Sequence, residues 1–298
     1  MKQDIYYTPS GKFPIYLPPL SFAFGIVISA IGGFIYSYAM YYIPFLYINF
    51  IFTIALGILL GMGTGFINTL LKNRNIKFSF LSGFITGIFG IYFSWVFYVK
   101  AFTKGTVYTF QPEELLEIIH EFSKTGTFEI KGLRPTGIFL YTFWIIESFL
   151  ILVSSLFIPY FTTISAPFCE HCNIWLEGED YVGPLEHIKN SNLLKEEIET
   201  RNYNILKELK TVSSNTNHFT IIELFYCTTC DHSYFTTIKD IEYTYDSKGK
   251  ESKLETSILE NVIISHKVFE ELKSEVRQAK EILDMEKEKL DEFDEDRW

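Results

Sequence analysis

Hydrophobic residues fill four long stretches of the first half of the chain. They cover residues 20–43, 45–71, 78–99 and 137–158. Each has roughly the 20 residues that cross a bilayer as a helix. The second half changes to shorter, alternating patterns that suit a water-soluble fold. The pattern therefore predicts an α-helical membrane protein, with a four-helix transmembrane bundle in residues 1–163 followed by a soluble α+β domain.

The first two stretches form one uncharged run. No Asp, Glu, Lys or Arg occurs from Phe13 to Leu71, which no soluble core requires. Pro44 separates the two stretches, so they should form an antiparallel hairpin. The first is too long for a signal-peptide core, and no convincing cleavage site follows it, so it is interpreted as a retained span. The last stretch is expected to stop at Pro159.

Small residues recur every fourth position in the predicted spans. The two clearest series are Gly25, Ser29, Gly33 and Ser37 in the first span and Gly57, Gly61 and Gly65 in the second. This spacing puts them on one helix face and lets backbones approach closely. It indicates packing between helices of one chain, or alternatively a homodimer face.

Residues 111–122, between the third and fourth spans, have the spacing of an amphipathic helix. Leu115, Ile118, Ile119 and Phe122 fall on one face. We expect this helix to lie at the membrane surface or to pack on the bundle.

The soluble domain is predicted over residues 164–264. Residues 218–226 and 234–245 alternate between apolar and polar positions, as strands do, and residues 254–264 can return as a hairpin partner. Between them and the last span, residues 185–209 have helical spacing, which predicts one or two helices in an insertion.

All four cysteines lie in two CxxC pairs, Cys169 with Cys172 and Cys227 with Cys230. Two such knuckles can hold one ion in a tetrahedral four-thiolate site, the arrangement that structural zinc prefers. The pattern looks like a zinc ribbon with a long insertion. A ribbon is a feature of the fold and assigns no activity.

Three interpretations of the cysteines remain: a structural Zn²⁺ site, a redox dithiol or two disulfides, and a catalytic metal. His171 and His232 adjoin the knuckles and could replace a cysteine, although four thiolates already suffice. A redox CxxC usually begins a helix, whereas Cys227 follows a strand-like run. Structural zinc is therefore favoured.

A long C-terminal helix is predicted over residues 265–298. Its apolar positions advance by three and four residues through Phe269, Leu272, Val276, Ala279 and Leu283. Such steps are typical of a coiled coil, but the series is short and then breaks. The helix is expected either to pack back on the preceding domain or to pair with a second helix.

Charge divides the chain into two halves. Residues 1–165 carry 10 Lys and Arg against 7 Asp and Glu, and residues 166–298 carry 16 against 29. The acidic soluble half argues against nucleic acid as a ligand, because binding phosphate needs a basic surface.

Glu147 is the only Asp, Glu, Lys, Arg or His within the four predicted spans. A charged carboxylate in the membrane is costly, so Glu147 is expected to be protonated and hydrogen-bonded. Asn49, Thr64 and Asn68 of the second span are candidate partners. The residue is a proton or cation site, or it serves interhelical hydrogen bonding, or it lies at a shallower depth than its position indicates.

Membrane orientation follows from the thiols and not from the basic residues, which divide evenly between the two sides. Four spans put both termini on one side, and metal-binding thiols must be reduced. Both termini are therefore predicted to be cytosolic, in a multi-pass protein of the cell membrane.

The first functional hypothesis is a non-enzymatic scaffold, in which the helices anchor a zinc domain that binds a protein partner. The alternative is a small oligomeric transporter or channel that uses Glu147 as its proton or cation site. A membrane thiol oxidoreductase is the second alternative. The sequence contains no HExxH, GxxxxGK[ST] or GxGxxG motif after a strand, and no His or Asp lies in a span.

Overall fold

The chain folds into two compact units. The computed structural model describes residues 5–43, 45–129, 132, 134–176, 178–212, 216–230, 232–245 and 250–274. One unit is Pro9–Ser165; the other joins the residues before it, Met1–Thr8, to the residues after it, Ala166–Trp298.

The first unit is helical. Its helices are α1 (Leu17–Tyr42), α2 (Leu46–Leu70), α3 (Ile76–Phe102), α4 (Pro112–Thr125) and α5 (Ile138–Ser165). Within the described part of the chain, all but α4 are long and apolar enough to cross a membrane, which confirms the four hydrophobic stretches as candidate spans.

The last of these helices, α5, continues through Pro159 to Ser165, so the prediction that it stops at the proline was wrong. Proline removes the backbone donor to the carbonyl four residues earlier, that of Ser155, and helices in lipid tolerate such a loss where neighbouring groups can satisfy the freed carbonyl. The hydroxyls of Thr162 and Thr163 donate to the carbonyl of Pro159 itself, each at 2.9 Å, within the turn that continues the helix.

The small residues of the spans lie between helices of the same chain. A Cβ placed on Gly83 of α3 would lie 2.3 Å from the carbonyl oxygen of Ser155 in α5, and one on Gly33 of α1 would lie 2.9 Å from the backbone nitrogen of Ser94 in α3. Only glycine permits such approach. These contacts confirm packing within one chain, which leaves those faces unavailable to a homodimer.

Helix α4 packs on the bundle, the second of the two placements that its amphipathic pattern allowed. Its buried Leu115 contacts Val96 and Val99 of α3. The rings of Phe102 and Phe122 lie 4.8 Å apart, measured between their centroids, and extend this contact.

The second unit is built on an antiparallel sheet. Its strands are β1 (Phe168–Cys169), β2 (Ile174–Trp175), β3 (Gly178–Leu185), β4 (His218–Tyr226), β5 (Tyr234–Tyr245) and β6 (Glu251–Ile263). The short β1 and β2 pair with each other, and the other four form one sheet in the order β3-β4-β5-β6. The predicted strands before and after the second knuckle are therefore present and adjacent.

The insertion contains two short helices, α6 (Ser191–Glu199) and α7 (Asn204–Lys207), which confirms the predicted one or two helices in residues 185–209. Strand β3, in contrast, was not predicted. The sequence of β3, GEDYVGPL, contains two glycines and a proline, which are poor strand formers. It is held as a strand by its pairing with β4.

The beginning of the chain belongs to the sheet unit, although the predicted membrane domain began at residue 1. The Ile263 N–H donates to the Ile5 carbonyl at 2.7 Å, and the Tyr7 N–H donates to the Asn261 carbonyl at 2.8 Å. Ile5 is also buried in the core of this unit. Residues 5–7 therefore extend the sheet beside β6.

A C-terminal helix begins directly after the sheet, at residues 266–274. Phe269 and Leu272 are buried in the core of the sheet unit, and the Phe269 ring lies 4.6 Å from that of Tyr234. This part packs back on its own domain. The remaining heptad positions, from Val276 onward, lie outside the described residues.

Candidate functional site

The two CxxC pairs occupy two hairpin turns. Cys169 ends β1, and Cys172 lies in the turn that leads to β2. Cys227 directly follows β4, and Cys230 lies in the turn before β5. Because β4 pairs with β5 over its whole length, the second turn has a fixed position at the end of the sheet.

The four cysteine thiols converge. All four Sγ atoms lie within 4.8 Å of one another, and those of Cys169 and Cys230 are 3.6 Å apart. A zinc ion with four thiolates at about 2.3 Å separates its sulfur atoms by roughly 3.8 Å. The cysteines are free, with no disulfide between them. This donor set and spacing fit a tetrahedral thiophilic metal ion.

Hydrogen bonds support thiolate character at one of the four sulfur atoms, that of Cys169. The Cys172 N–H donates to the Cys169 Sγ at 3.5 Å, and the Ser233 hydroxyl donates to the same sulfur at 3.3 Å. Burial favours the neutral thiol of Cys169, but the hydrogen bonds from Ser233, the Cys172 backbone and the neighbouring thiols lower its pKa to about 6. The hydrogen bond with Cys230, together with burial, raises the pKa of the Cys172 thiol to about 12.

The two histidines next to the knuckles stack on each other. The ring centroids of His171 and His232 are 4.5 Å apart, with 15° between the planes. Neither belongs to the converging set of sulfur atoms. The structure thus offers four thiols as ligands without recruiting either imidazole.

Glu147 lines a cavity of about 290 Å³ in the helical unit. The cavity lies toward one end of the bundle, since its walls come from the later turns of α1 and α3 and the earlier turns of α2 and α5. The other lining residues include Tyr36, Asn49, Trp95 and Tyr98. Glu147 is about nine residues from the start of α5, or roughly 14 Å at 1.5 Å per residue.

Of the three proposed partners of Glu147, only Asn49 lies at this cavity. Asn68 instead accepts from the Ser21 hydroxyl and donates to the Ser82 hydroxyl, both at 2.9 Å. The Thr64 hydroxyl donates to the Leu60 carbonyl of its own helix at 2.8 Å. Asn68 and Thr64 therefore serve helix packing, and the choice of them as partners was wrong.

Sequence reasoning missed a second cluster of potential metal ligands, formed by His187, His218 and Asp240. One ligand atom from each lies within 4.8 Å of the others. The three residues come from the segment after β3, from β4 and from β5. No local motif links them, and only the register of the sheet could have revealed their proximity.

No protein-family model, curated protein or solved structure matches this chain. Its function is therefore argued from the four-thiol site, from the cavity beside Glu147 and from the fold that carries them.

Proposed function

We propose that this chain is a multi-pass membrane protein whose four helices anchor a zinc-stabilised, ribbon-like domain, and that this domain binds a protein partner. The observation that carries the proposal is the convergence of all four thiols within 4.8 Å at the ends of two hairpins. A structural ion at this place ties the β1–β2 hairpin to the β4–β5 hairpin and holds the sheet unit together.

Zinc is the ion that this donor set favours. Four thiolates select soft or borderline ions, and tetrahedral zinc sites of this kind have no open position for chemistry. Such a site can contribute roughly 10 to 16 kcal/mol of apparent binding free energy to folding. Such a contribution would add to the stability that the hydrophobic core of the sheet unit already supplies.

A cytosolic location of the sheet unit follows from this proposal. Thiolate ligands need reducing surroundings. Residues 5–7 precede the first candidate span and pair with β6, which follows the last one. Because paired segments must lie on the same side of the membrane, the pairing requires an even number of crossings, and four spans meet this requirement. Both termini are therefore proposed to lie on the cytosolic side.

Partner binding is supported by the charge of the second half. Residues 166–298 carry 16 Lys and Arg against 29 Asp and Glu. A surface of this charge repels anionic lipid and nucleic acid and favours a basic protein surface. Because a four-thiolate site has no open coordination position for chemistry, it supports binding and not catalysis as the role of the domain.

The metal half of the proposal is tested on the full chain, purified anaerobically in detergent without added reductant. We expect one zinc ion per chain by elemental analysis and no zinc in the Cys227→Ser variant, because three thiolates cannot close the site. The variant should also lose protease resistance in residues 166–274 while its helical unit stays folded. A Ser233→Ala variant is the matched control, since it removes a hydrogen bond to Cys169 but no ligand, and it should keep its zinc.

Two disulfides and no metal would contradict the proposal and favour the thiol oxidoreductase or an extracytosolic domain. The partner half is tested separately, before the chain is extracted from its membrane. Cross-linking in native membranes should yield a defined heteromeric species that is lost in the Cys227→Ser variant and weakened by high salt. A chain that cross-links to nothing, with its zinc in place, would exclude the scaffold role.

The cavity beside Glu147 favours a second candidate function, a small transporter or channel. The Glu147 carboxyl group faces a space large enough for several water molecules or a small cation, among aromatic and amide side chains. An ionisable side chain inside a membrane is interpreted first as part of an ion or proton pathway, because its burial there is costly. Because the cavity lies toward one end of the bundle, transport across the whole membrane needs helix movement or an oligomer.

Glu147→Gln tests this function, because it removes the acid at constant volume. In proteoliposomes, a Glu147-dependent pathway should lose at least about tenfold of its proton or cation flux, the scale of a mechanistic carboxylate. Glu129→Gln is the matched control, since Glu129 lines the same cavity but is exposed. Equal flux in the wild type and the Glu147→Gln variant would rule out the pathway.

A further inference from the structure

A second cluster of metal-binding side chains lies on the sheet, far from the cysteines. His218 begins β4 and Cys227 directly follows its end. At about 3.4 Å per residue, the two positions are roughly 30 Å apart along the strand. Whatever His218 and its neighbours bind is therefore independent of the four-thiol site and of the function proposed for it.

The cluster is centred on the carboxylate of Asp240. Its Oδ1 lies 2.9 Å from Nδ1 of His187, and its Oδ2 lies 2.7 Å from Nε2 of His218. The two imidazole rings lie face to face, with centroids 3.6 Å apart and 31° between their planes. Two imidazole nitrogens and a carboxylate thus point toward one small volume.

The backbone fixes this arrangement. Thr220 of β4 is paired with Asp240 of β5 and with Leu185 of β3. Because side chains alternate along a strand, His218 lies on the same face as Thr220 and Asp240. The Ile188 N–H donates to the Thr220 hydroxyl at 3.3 Å, which holds the segment carrying His187 across the sheet.

The cluster is open to solvent on one side. The side chains of His187, His218 and Asp240 are 32%, 39% and 19% exposed. An ion can therefore reach it without unfolding the sheet. Glu242 is paired with His218 and lies two residues from Asp240 on the same face, which places a further carboxylate at the edge of the cluster.

We propose that His187, His218 and Asp240 bind a divalent first-row transition metal ion, with Zn²⁺ as the reference ion. Two imidazoles and one carboxylate are the ligands that such ions prefer, and three protein ligands leave a coordination position for water or an anionic ligand. On binding, the ion displaces the hydrogens that lie between the two imidazole nitrogens and Asp240. Each neutral imidazole then carries its proton on its other ring nitrogen.

This geometry distinguishes the second site from the first. Four thiolates complete a closed, structural coordination shell, whereas the histidine site keeps an exchangeable position. The second metal should therefore bind more weakly than the first, exchange with added chelator, and leave the fold intact when it is removed.

The test uses the full chain in detergent, without a histidine tag, stripped by chelator, supplied with excess Zn²⁺ and freed of loose ion by gel filtration. We expect two zinc ions per chain in the wild type and one in both the His187→Gln/His218→Gln and the Asp240→Asn variants. His266→Gln is the matched control. It changes a histidine of the same unit that is hydrogen-bonded to Tyr234, and it should retain two ions.

Cobalt(II) identifies the ligands. The first equivalent should produce intense thiolate-to-cobalt absorption, and the second should add only the weak bands of nitrogen and oxygen ligands. The His187→Gln/His218→Gln variant should lose the second signal and keep the first, so failure of the histidine site is distinguishable from failure of the four-thiol site. One ion per chain in the wild type, or equal loss of the second ion in His266→Gln, would overturn the proposal.

Discussion

Asn68 is a polar junction between three helices of the bundle. Its side-chain oxygen accepts from Ser21 of α1 and its amide donates to Ser82 of α3, while the residue itself is buried in α2. Both of its hydrogen-bonding functions are thus satisfied across helix interfaces. In lipid, an amide that lost these partners would have no water to replace them.

Asn68→Ala is expected to destabilise the bundle. Interhelical hydrogen bonds in membrane proteins contribute on average about 0.6 kcal/mol and up to about 1.7 kcal/mol each, so the loss of two should cost about 1 to 3 kcal/mol. The measurement is reversible unfolding in mixed detergent micelles. Thr64→Ala is the control, because Thr64 bonds only within its own helix, and a loss as large as that of Asn68→Ala would contradict this account.

Local chemistry decided which site residues could be found from the sequence. Each CxxC pair is a signature within four residues, so the four thiols were identified before any fold was known. His187 and Asp240 are 53 residues apart, and His218 and Asp240 are 22 apart. Their meeting depends on strand pairing that no local pattern encodes, and the partners of Glu147 were misassigned for a similar reason.

At the scale of elements, the helices of the bundle were the most predictable part of the fold. A helix in lipid must satisfy its backbone internally and needs about 20 apolar residues, which leaves a strong signal in the sequence. Strand β3 left almost none: among its residues 180–185, the buried side chains are those of Val182 and Leu185. Its partner β4 supplies the hydrogen bonds, so its existence depends on tertiary context.

The contact between α3 and α5 gives a sharp prediction at this scale. In Gly83→Val, a side chain must enter the space where a Cβ alone would lie 2.3 Å from the Ser155 carbonyl oxygen. Because backbone cannot yield as a flexible side chain does, we expect a loss of about 1 to 3 kcal/mol from overpacking.

The same micelle unfolding assay measures this loss. Leu81→Val is the control, since Leu81 is on the same helix but 49% exposed, and it should unfold close to the wild type. An unchanged midpoint for Gly83→Val would mean that the two helices do not approach as closely as the structure describes.

At the scale of the whole molecule, the chain combines a helical unit with few charges and an acidic sheet unit. Composition predicted this division because the two halves are solvated differently. It did not predict that residues 5–7 join the sheet, because a short polar-aromatic segment with prolines after it has no distinctive periodicity. The position of its hydrogen-bonding partners depends on strand β6, at the far end of the chain.

This pairing of the first and last parts of the chain sets an order on assembly. Ile5 and Ile263 are about 260 residues apart, so the N-terminal segment emerges from the ribosome long before its partner strand exists. At about 5 to 20 residues per second, the segment waits for tens of seconds while all four apolar helices are synthesised. The sheet is therefore completed only after the fourth candidate span and strand β6 have left the ribosome, so its closure requires that residues 5–263 have all been made.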